Sequence, residues 1–371
     1  MAMNPAQEKK IRVLIVDDSA FMCRVLRDII NADPQMEVVG QGRDGRDAVA
    51  MAESLKPDVI TMDINMPHID GLQATELIMS QHPRPIVIVS SESREGASST
   101  LKALELGAID FVPKPSSGID LDMRAVGTDL TRKLKVASKV RVVRTATRSK
   151  VIGAAASPTA AGGNSPAIAS QNAGKVPIVV VAASTGGPAA VTQLVSGLQK
   201  DLAAAVILVL HMPAAFTSQF TAQLSEVSLL PVREAVINDT PQAGTIYVCP
   251  GSSHLRLTLQ GKIALDTGAR IEGYRPCADV AFESVASYAR GLAVGVVLTG
   301  MGSDGAKGAM AIKSKGGFVF AQDEATSMIF GMPAEAIKLG AVDEVLALGD
   351  ISAAIEKRIT KINRPVLVGA R

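Results

Sequence analysis

Apolar positions in the first third of the chain fall into short continuous runs separated by longer mixed stretches. IRVLIV at 11–16 is the clearest run, and others follow at 36–40, 58–62, 85–89 and 109–112. Uninterrupted runs of this length suit strands buried on both faces of a parallel sheet. The stretches between and after them, near 20–31, 45–55, 71–81, 96–106 and 121–138, are read as helices. Five strand-then-helix units predict a doubly wound α/β domain, a five-stranded parallel sheet with helices on both faces. Ligands of such sheets sit at the carboxyl ends of the strands.

The pattern stops between Thr145 and Lys175, where Ala, Ser, Gly, Thr and Pro dominate and no aromatic residue occurs. Such a stretch has too little apolar surface to pack, which predicts a flexible linker. Periodicity resumes at Val176 with VPIVVVAASTGGP, a buried strand turning sharply into a helix opened by Pro188. A second buried strand, AVILVL at 205–210, ends in His211-Met212-Pro213 and leads to a helix near 214–225. Shorter strands at 231–236, 245–249, 254–259 and 262–265 predict an antiparallel hairpin insert. A helix at 278–290 and a strand at 292–298 then lead into the TGMGSDG turn and a helix at 306–315. Strands at 317–321 and 341–345 and a helix at 351–361 complete a second α/β unit with a mainly parallel sheet. The predicted division is therefore a first domain at 1–140, a linker at 141–175 and a second domain at 176–371.

Composition narrows the function. Aromatic residues make up 3% of the 371, with no Trp, so stacking platforms for single-stranded nucleic acid are not expected. The three cysteines, Cys23, Cys249 and Cys277, are odd in number and far apart, which fits a reducing, cytoplasmic setting. The N-terminal MAMNPAQEKK has no apolar core and the longest apolar runs are strand-length, so neither a signal peptide nor membrane insertion is expected. The net charge of +2 is unevenly spread: residues 1–123 carry −7, residues 124–150 carry +8 and residues 151–371 carry +1. The basic segment lacks aromatic residues and any base-reading motif, and is taken as the solvated face of a helix running into the linker.

Chemistry concentrates at the strand ends. Asp17 and Asp18 close the first predicted strand, Asp63 the third and Ser90-Ser91 the fourth, and Lys114 follows the fifth. Three converging carboxylates repel one another unless a divalent cation joins them, and hard oxygen ligands suit Mg²⁺. An ammonium and a hydroxyl nearby can hold the oxygens of a phosphoryl group placed on one carboxylate. On the motifs VDDS, MDINMP and FVPKP, residues 11–138 resemble a two-component receiver domain. That resemblance implies phosphorylation at Asp63 by a histidine kinase phosphodonor, with Mg²⁺ held by Asp17, Asp18, Asp63 and the Asn65 carbonyl. It further implies Ser90 and Lys114 as phosphoryl ligands, a cis Lys114-Pro115 bond, and Phe111 as the switch aromatic.

In the second unit Ser184, His211 and Asp304 each lie just beyond the end of a buried strand, so they share one sheet edge as a nucleophile, a base and an orienting carboxylate must. Ser184 and Asp304 also sit where helix-capping side chains are common, and that alternative stands beside the catalytic one. Of the four histidines, His68 and His82 belong to the first unit, and His254 opens an alternating strand where a surface or hairpin role is expected. Gly300, Gly302 and Gly305 allow a tight backbone turn, and the Met301 N–H is placed to serve an oxyanion.

The segments AASTGGP, LVLHMP, YRPCADV, LTGMGSDGA and GMPAEAI, placed after a receiver, resemble the chemotaxis protein-glutamate methylesterase family over essentially the whole chain. The resemblance implies hydrolysis of glutamyl methyl esters on chemoreceptor cytoplasmic domains, deamidation of receptor glutamines, and no cofactor for the ester chemistry. Ser184 is then the nucleophile, His211 the base, Asp304 the orienting acid, and Thr185 with Met301 the oxyanion site. Two rival classes are a receiver-controlled DNA-binding regulator, which the near-neutral α/β second unit disfavours, and a general small-molecule esterase, which leaves the receiver unexplained. With a tether of about 30 residues, two weakly attracting domains sit at roughly millimolar effective concentration. The unphosphorylated first domain is therefore expected to rest on the second and hinder access to Ser184.

Overall fold

The computed structural model describes residues 9–91, 93–114, 120–140, 142 and 175–363. Nearly all of the expected linker, and the Lys114-Pro115 bond, lie outside them. The first unit runs β1 (Ile11–Val16), α1 (Ala20–Asn31), β2 (Met36–Gly42), α2 (Gly45–Leu55), β3 (Val59–Met62), α3 (Gly71–Gln81), β4 (Ile86–Ser90), α4 (Arg94–Glu105), β5 (Asp110–Pro113) and α5 (Asp120–Ala137). Its five strands pair in parallel in the order β2-β1-β3-β4-β5. The helices start where side chains satisfy the orphan amides of a first turn: Ser19, Asp44, Asp70 and Ser93 each accept from a backbone N–H of the helix that follows. All five strand ends therefore open on one edge, as the sequence pattern predicts.

The second unit runs β6 (Ile178–Ala183), α6 (Gly187–Ser196), β7 (Ala205–Leu210), α7 (Ala214–Val227), β8 (Val232–Glu234), β9 (Ile246–Val248), β10 (His254–Leu257), β11 (Ile263–Asp266), α8 (Ala278–Ala289), β12 (Ala293–Val297), α9 (Ala306–Ser314), β13 (Phe318–Gln322), α10 (Met332–Lys338), β14 (Glu344–Leu346) and α11 (Leu348–Asn363). Seven strands form one parallel sheet in the order β14-β13-β12-β6-β7-β9-β8. The antiparallel hairpin is present but smaller than expected, being β10 with β11 alone. Strands β8 and β9 instead extend the parallel sheet, because the segment between them is long enough to cross over and return in the same direction. Helix α10 was not expected from the sequence; Pro333 sits in its first turn, where a missing N–H costs nothing.

Strands β6, β7 and β12 are buried along their whole lengths. They lie side by side at the point where the strand order reverses, which puts the crevice of a doubly wound sheet outside their carboxyl ends. The two units share a continuous apolar cluster, with Leu101 and Phe111 of the first joined to Phe216 and Phe220 of the second. Helix α4 packs on α7 and α6. No described helix is long and apolar enough to cross a membrane.

Candidate functional site

Ser184 is the first residue beyond β6. Its amide donates to the Thr299 carbonyl at 3.0 Å, which ties the β6 turn to the end of β12. Gly300 lies so close that a Cβ there would fall 2.8 Å from the Ser184 Cβ, so the turn requires a glycine. His211, the first residue beyond β7, holds its Nδ1 3.1 Å from Ser184 Oγ and its Nε2 2.7 Å from Asp304 Oδ2. The structure thus brings Ser184, His211 and Asp304 into one hydrogen-bonded line. With Nε2–H donated to the carboxylate, Nδ1 faces the serine hydroxyl as an acceptor, the tautomer a general base needs.

Asp304 is 2% exposed and so depends on its partners to stay charged. Its carboxylate accepts from the Ala278 amide at 2.7 Å, the Asp279 amide at 2.9 Å and the Cys277 thiol at 3.2 Å, besides His211. Burial pushes this carboxyl up, but the bond and charge of His211 and the two amides outweigh it and hold Asp304 below the usual carboxylate range. Among the described residues neither the Thr185 nor the Met301 amide donates to a backbone carbonyl.

Several contributors escaped the sequence reading. Tyr274 stacks on the His211 ring, with centroids 4.1 Å apart and planes 19° from parallel. Cys277 and Asp279 contact Asp304 from the entry of α8. YRPCADV stood out only as a motif, and its loop carries no periodicity that would aim it at the site. His254 does sit on the hairpin, but it is buried and not at the surface. Its Nε2 bonds the Ala269 carbonyl at 3.0 Å and its Nδ1 accepts the Cys277 amide at 3.2 Å, so it braces the loop that carries Cys277.

At the corresponding edge of the first unit, oxygens of Asp17, Asp18 and Asp63 lie within 4.8 Å of one another. Lys114 Nζ is 2.9 Å from both Asp17 Oδ2 and Asp63 Oδ2. Burial pushes Asp63 up, and the Lys114 ammonium only partly offsets it. Burial works against the Lys114 charge too, yet Asp63 and Asp17 together hold its pKa above the ordinary value. Ser90 is buried at the end of β4, its hydroxyl donating to the Gly96 carbonyl at 3.3 Å, and Asn65 is exposed in the loop after Asp63.

Comparison with known proteins bears on both sites. Residues 179–355 match the CheB methylesterase family model, and residues 13–126 match that of the response regulator receiver domain. A Pyrococcus horikoshii protein named protein-glutamate methylesterase/protein-glutamine glutaminase is 42% identical over 368 residues, covering 96% of this chain and 95% of its own. The chain belongs to the CheB methylesterase family. A Thermotoga maritima CheB relative of the same name is 40% identical over 342 residues, covering 91% of this chain and 96% of its own. The crystal structure of the Thermotoga maritima CheB methylesterase catalytic domain is 36% identical, covers 49% of this chain and 98% of its own, and has a TM-score of 0.48. The response regulator domain of Thermotoga maritima CheB is 50% identical, covers 36% of this chain and 99% of its own, and has a TM-score of 0.34.

In this CheB-family chain the receiver lies directly against the serine site. Phe111 stacks on Phe216 of α7, with centroids 4.3 Å apart and planes 24° from parallel. The Thr185 hydroxyl donates to the Asp110 carboxylate, and Arg132 of α5 reaches the Tyr274 hydroxyl at 3.4 Å. Lys133, paired with Asp110 at 3.1 Å and Asp129 at 3.3 Å, completes the charged cluster behind this contact. Burial alone would lower the Lys133 pKa, but the two carboxylates reverse that.

Proposed function

We propose that this chain is a phosphorylation-regulated hydrolase that removes methyl esters from chemoreceptor glutamates and deamidates receptor glutamines. The observation that carries this reading is the His211 imidazole bridging Ser184 and Asp304 at the sheet switch point. Ser184 Oγ attacks the ester carbonyl while His211 Nδ1 takes its proton, and Asp304 holds the imidazolium that forms. The Thr185 and Met301 amides receive the oxyanion. His211 returns the proton to methanol as it leaves, or to ammonia when the substrate is a glutamine. A water molecule, deprotonated by the same Nδ1, then hydrolyses the acyl-enzyme to a glutamate and free Ser184.

The receiver takes a phosphoryl group on Asp63 from a histidine kinase. Its residues fit Mg²⁺: three carboxylates converge, and the buried Asp17 Oδ2, met by the Lys114 ammonium at 2.9 Å, keeps a second lone pair for a cation. Asp17, Asp18, Asp63 and the Asn65 carbonyl would hold the ion, which supplies the positive charge that lets a phosphoryl donor approach. Lys114 and Ser90 bind the transferred oxygens. With receiver 1–140, linker 141–175 and catalytic unit 176–371, the unphosphorylated receiver covers the serine site through Asp110, Phe111 and Arg132, and phosphorylation weakens that contact.

The test is release of methanol from radiomethylated receptor membranes, with and without acetyl phosphate. The full chain should release it, faster with the donor, and Ser184→Ala should not. Equal release by Ser184→Ala would overturn the assignment.

A further inference from the structure

The first turns of α8 and α9 have no capping side chain at their own N-cap positions, Cys277 and Gly305. Each is instead capped by a carboxylate from the entry of the other helix. Asp304, two residues before α9, accepts the Ala278 and Asp279 amides of α8. Asp279, in the first turn of α8, accepts the Gly308 amide of α9 at 2.7 Å. The exchange closes a ring in which the Asp279 N–H donates to Asp304 while its own carboxylate fixes the helix that follows Asp304. The helices meet tightly there: a Cβ on Gly308 would lie 2.4 Å from the Phe282 Cβ and 3.1 Å from the Asp279 Cα.

Reading Ser184, His211 and Asp304 as the catalytic relay, on which this inference rests, we infer that Asp279 is a positioning residue that sets the Asp304 carboxylate against His211 through the reciprocal caps. The hydrogen bonds of Asp279 go to Asp304 and Gly308, and not to His211 or Ser184. Its amide bonds Asp304 directly, but the hold of its side chain on Asp304 is indirect, through the first turn of α9. If the Gly308 bond is lost, α9 and the Ser303–Gly305 turn are free to shift away from α8. The Asp304 to His211 bond at 2.7 Å then loosens. Misplacement of a reacting group by about 1 Å costs on the order of 100-fold in rate. Substrate binding makes no use of this contact, so the loss should fall on turnover.

The experiment uses the full chain with acetyl phosphate and methylated receptor membranes, and reads kcat, KM and thermal melting. Asp279→Ala should lower kcat roughly 10- to 100-fold with KM unchanged. Asp279→Asn, which keeps an oxygen to accept from Gly308, should recover to within a few-fold of the parent. Should Asp279→Ala lose its cooperative melting transition, Asp279→Ser replaces it in the series, with kcat expected between those of the parent and a capless enzyme. Parent-level kcat in the Ala or Ser variant, a loss confined to KM, or an Asn variant as slow as the Ala variant would each overturn the inference. Ser184→Ala is run alongside: activity there sinks the relay itself, whereas an inert Ser184→Ala with a normal Asp279→Ala sinks only the positioning role.

Discussion

The hydroxyl of Thr185, next to Ser184, donates to the carboxylate of Asp110, next to the receiver's Phe111. One hydrogen bond therefore joins the turn that carries the proposed nucleophile to the strand that carries the proposed switch. A hydrogen bond to a charged group contributes about 1.5–3 kcal/mol, enough to move a two-state contact by tenfold or more. Thr185→Val removes the hydroxyl, keeps the shape and leaves the backbone amide in place. Methanol release by the unphosphorylated full chain should rise several-fold, and the stimulation by acetyl phosphate should shrink accordingly. An unchanged basal rate would show that this bond does not help to close the site.

Removing the relay itself should be far more costly. Ser184→Ala and His211→Ala should each lower turnover by roughly 10⁶-fold, and Asp304→Asn by about 10⁴-fold, in line with other serine triads. Asp304→Asn carries an additional load here, because it weakens the cap on α8 as well as the imidazole bond. Its melting temperature should fall more than that of Ser184→Ala, which calorimetry can compare directly.

At the receiver, incubation with labelled acetyl phosphate should label the full chain only when Mg²⁺ is present. Asp63→Asn should remain unlabelled. Lys114→Ala should leave Asp17 and Asp63 facing each other without their shared ammonium, and so lower the Mg²⁺ concentration needed while it slows the phosphorylation response. Label retained by Asp63→Asn, or in excess chelator, would place the acceptor elsewhere.

Stability should carry a recognisable pH signature from Asp279. Burial, with a contribution from neighbouring Asp304, pushes Asp279 up to about 6 from an ordinary 3.8, against the pull of the Gly308 amide. Glu283 on its own helix and Lys307 on α9 are the other charges facing it. Between those two values the folded state binds more protons than the unfolded one, so this group's contribution is largest below pH 3.8 and is lost as pH rises through about 6. Asp304, whose pKa is lowered, acts oppositely and only at more acidic pH. The melting temperature of Asp279→Asn minus that of the parent should therefore be more positive at pH 7 than at about pH 4.5. A difference independent of pH would contradict the raised value.

The sequence made the ends of long buried strands easy to find. Ser184, His211, Asp17 and Asp63 each terminate an apolar run, and a run of that kind fixes both the strand and the edge on which its next residue emerges. Direction was harder for short strands: β8 and β9 are three residues each, too short for composition to separate a parallel return from a hairpin. Helix α10 spans seven residues, about two turns, with no room for a repeating apolar stripe. Tyr274, Cys277 and Asp279 reach the site by way of the loop that follows the hairpin, and only the fold brings them within bonding or stacking distance of residues 25 to 63 positions away. Contacts between the two units were foreseeable as a weak docking of acidic on neutral surface, but which residues meet depends on shapes that no local pattern encodes.

The stacking of Phe111 on Phe216 makes the two halves of the chain poor candidates for free exchange. A receiver transplanted from another regulator would have to bring a flat side chain at this position, preceded by an acidic one, or leave Phe216 and the Thr185 hydroxyl facing a mismatched surface. Chimaeras can therefore be sorted in advance by two adjacent residues of the incoming strand, before any of them is assayed for control.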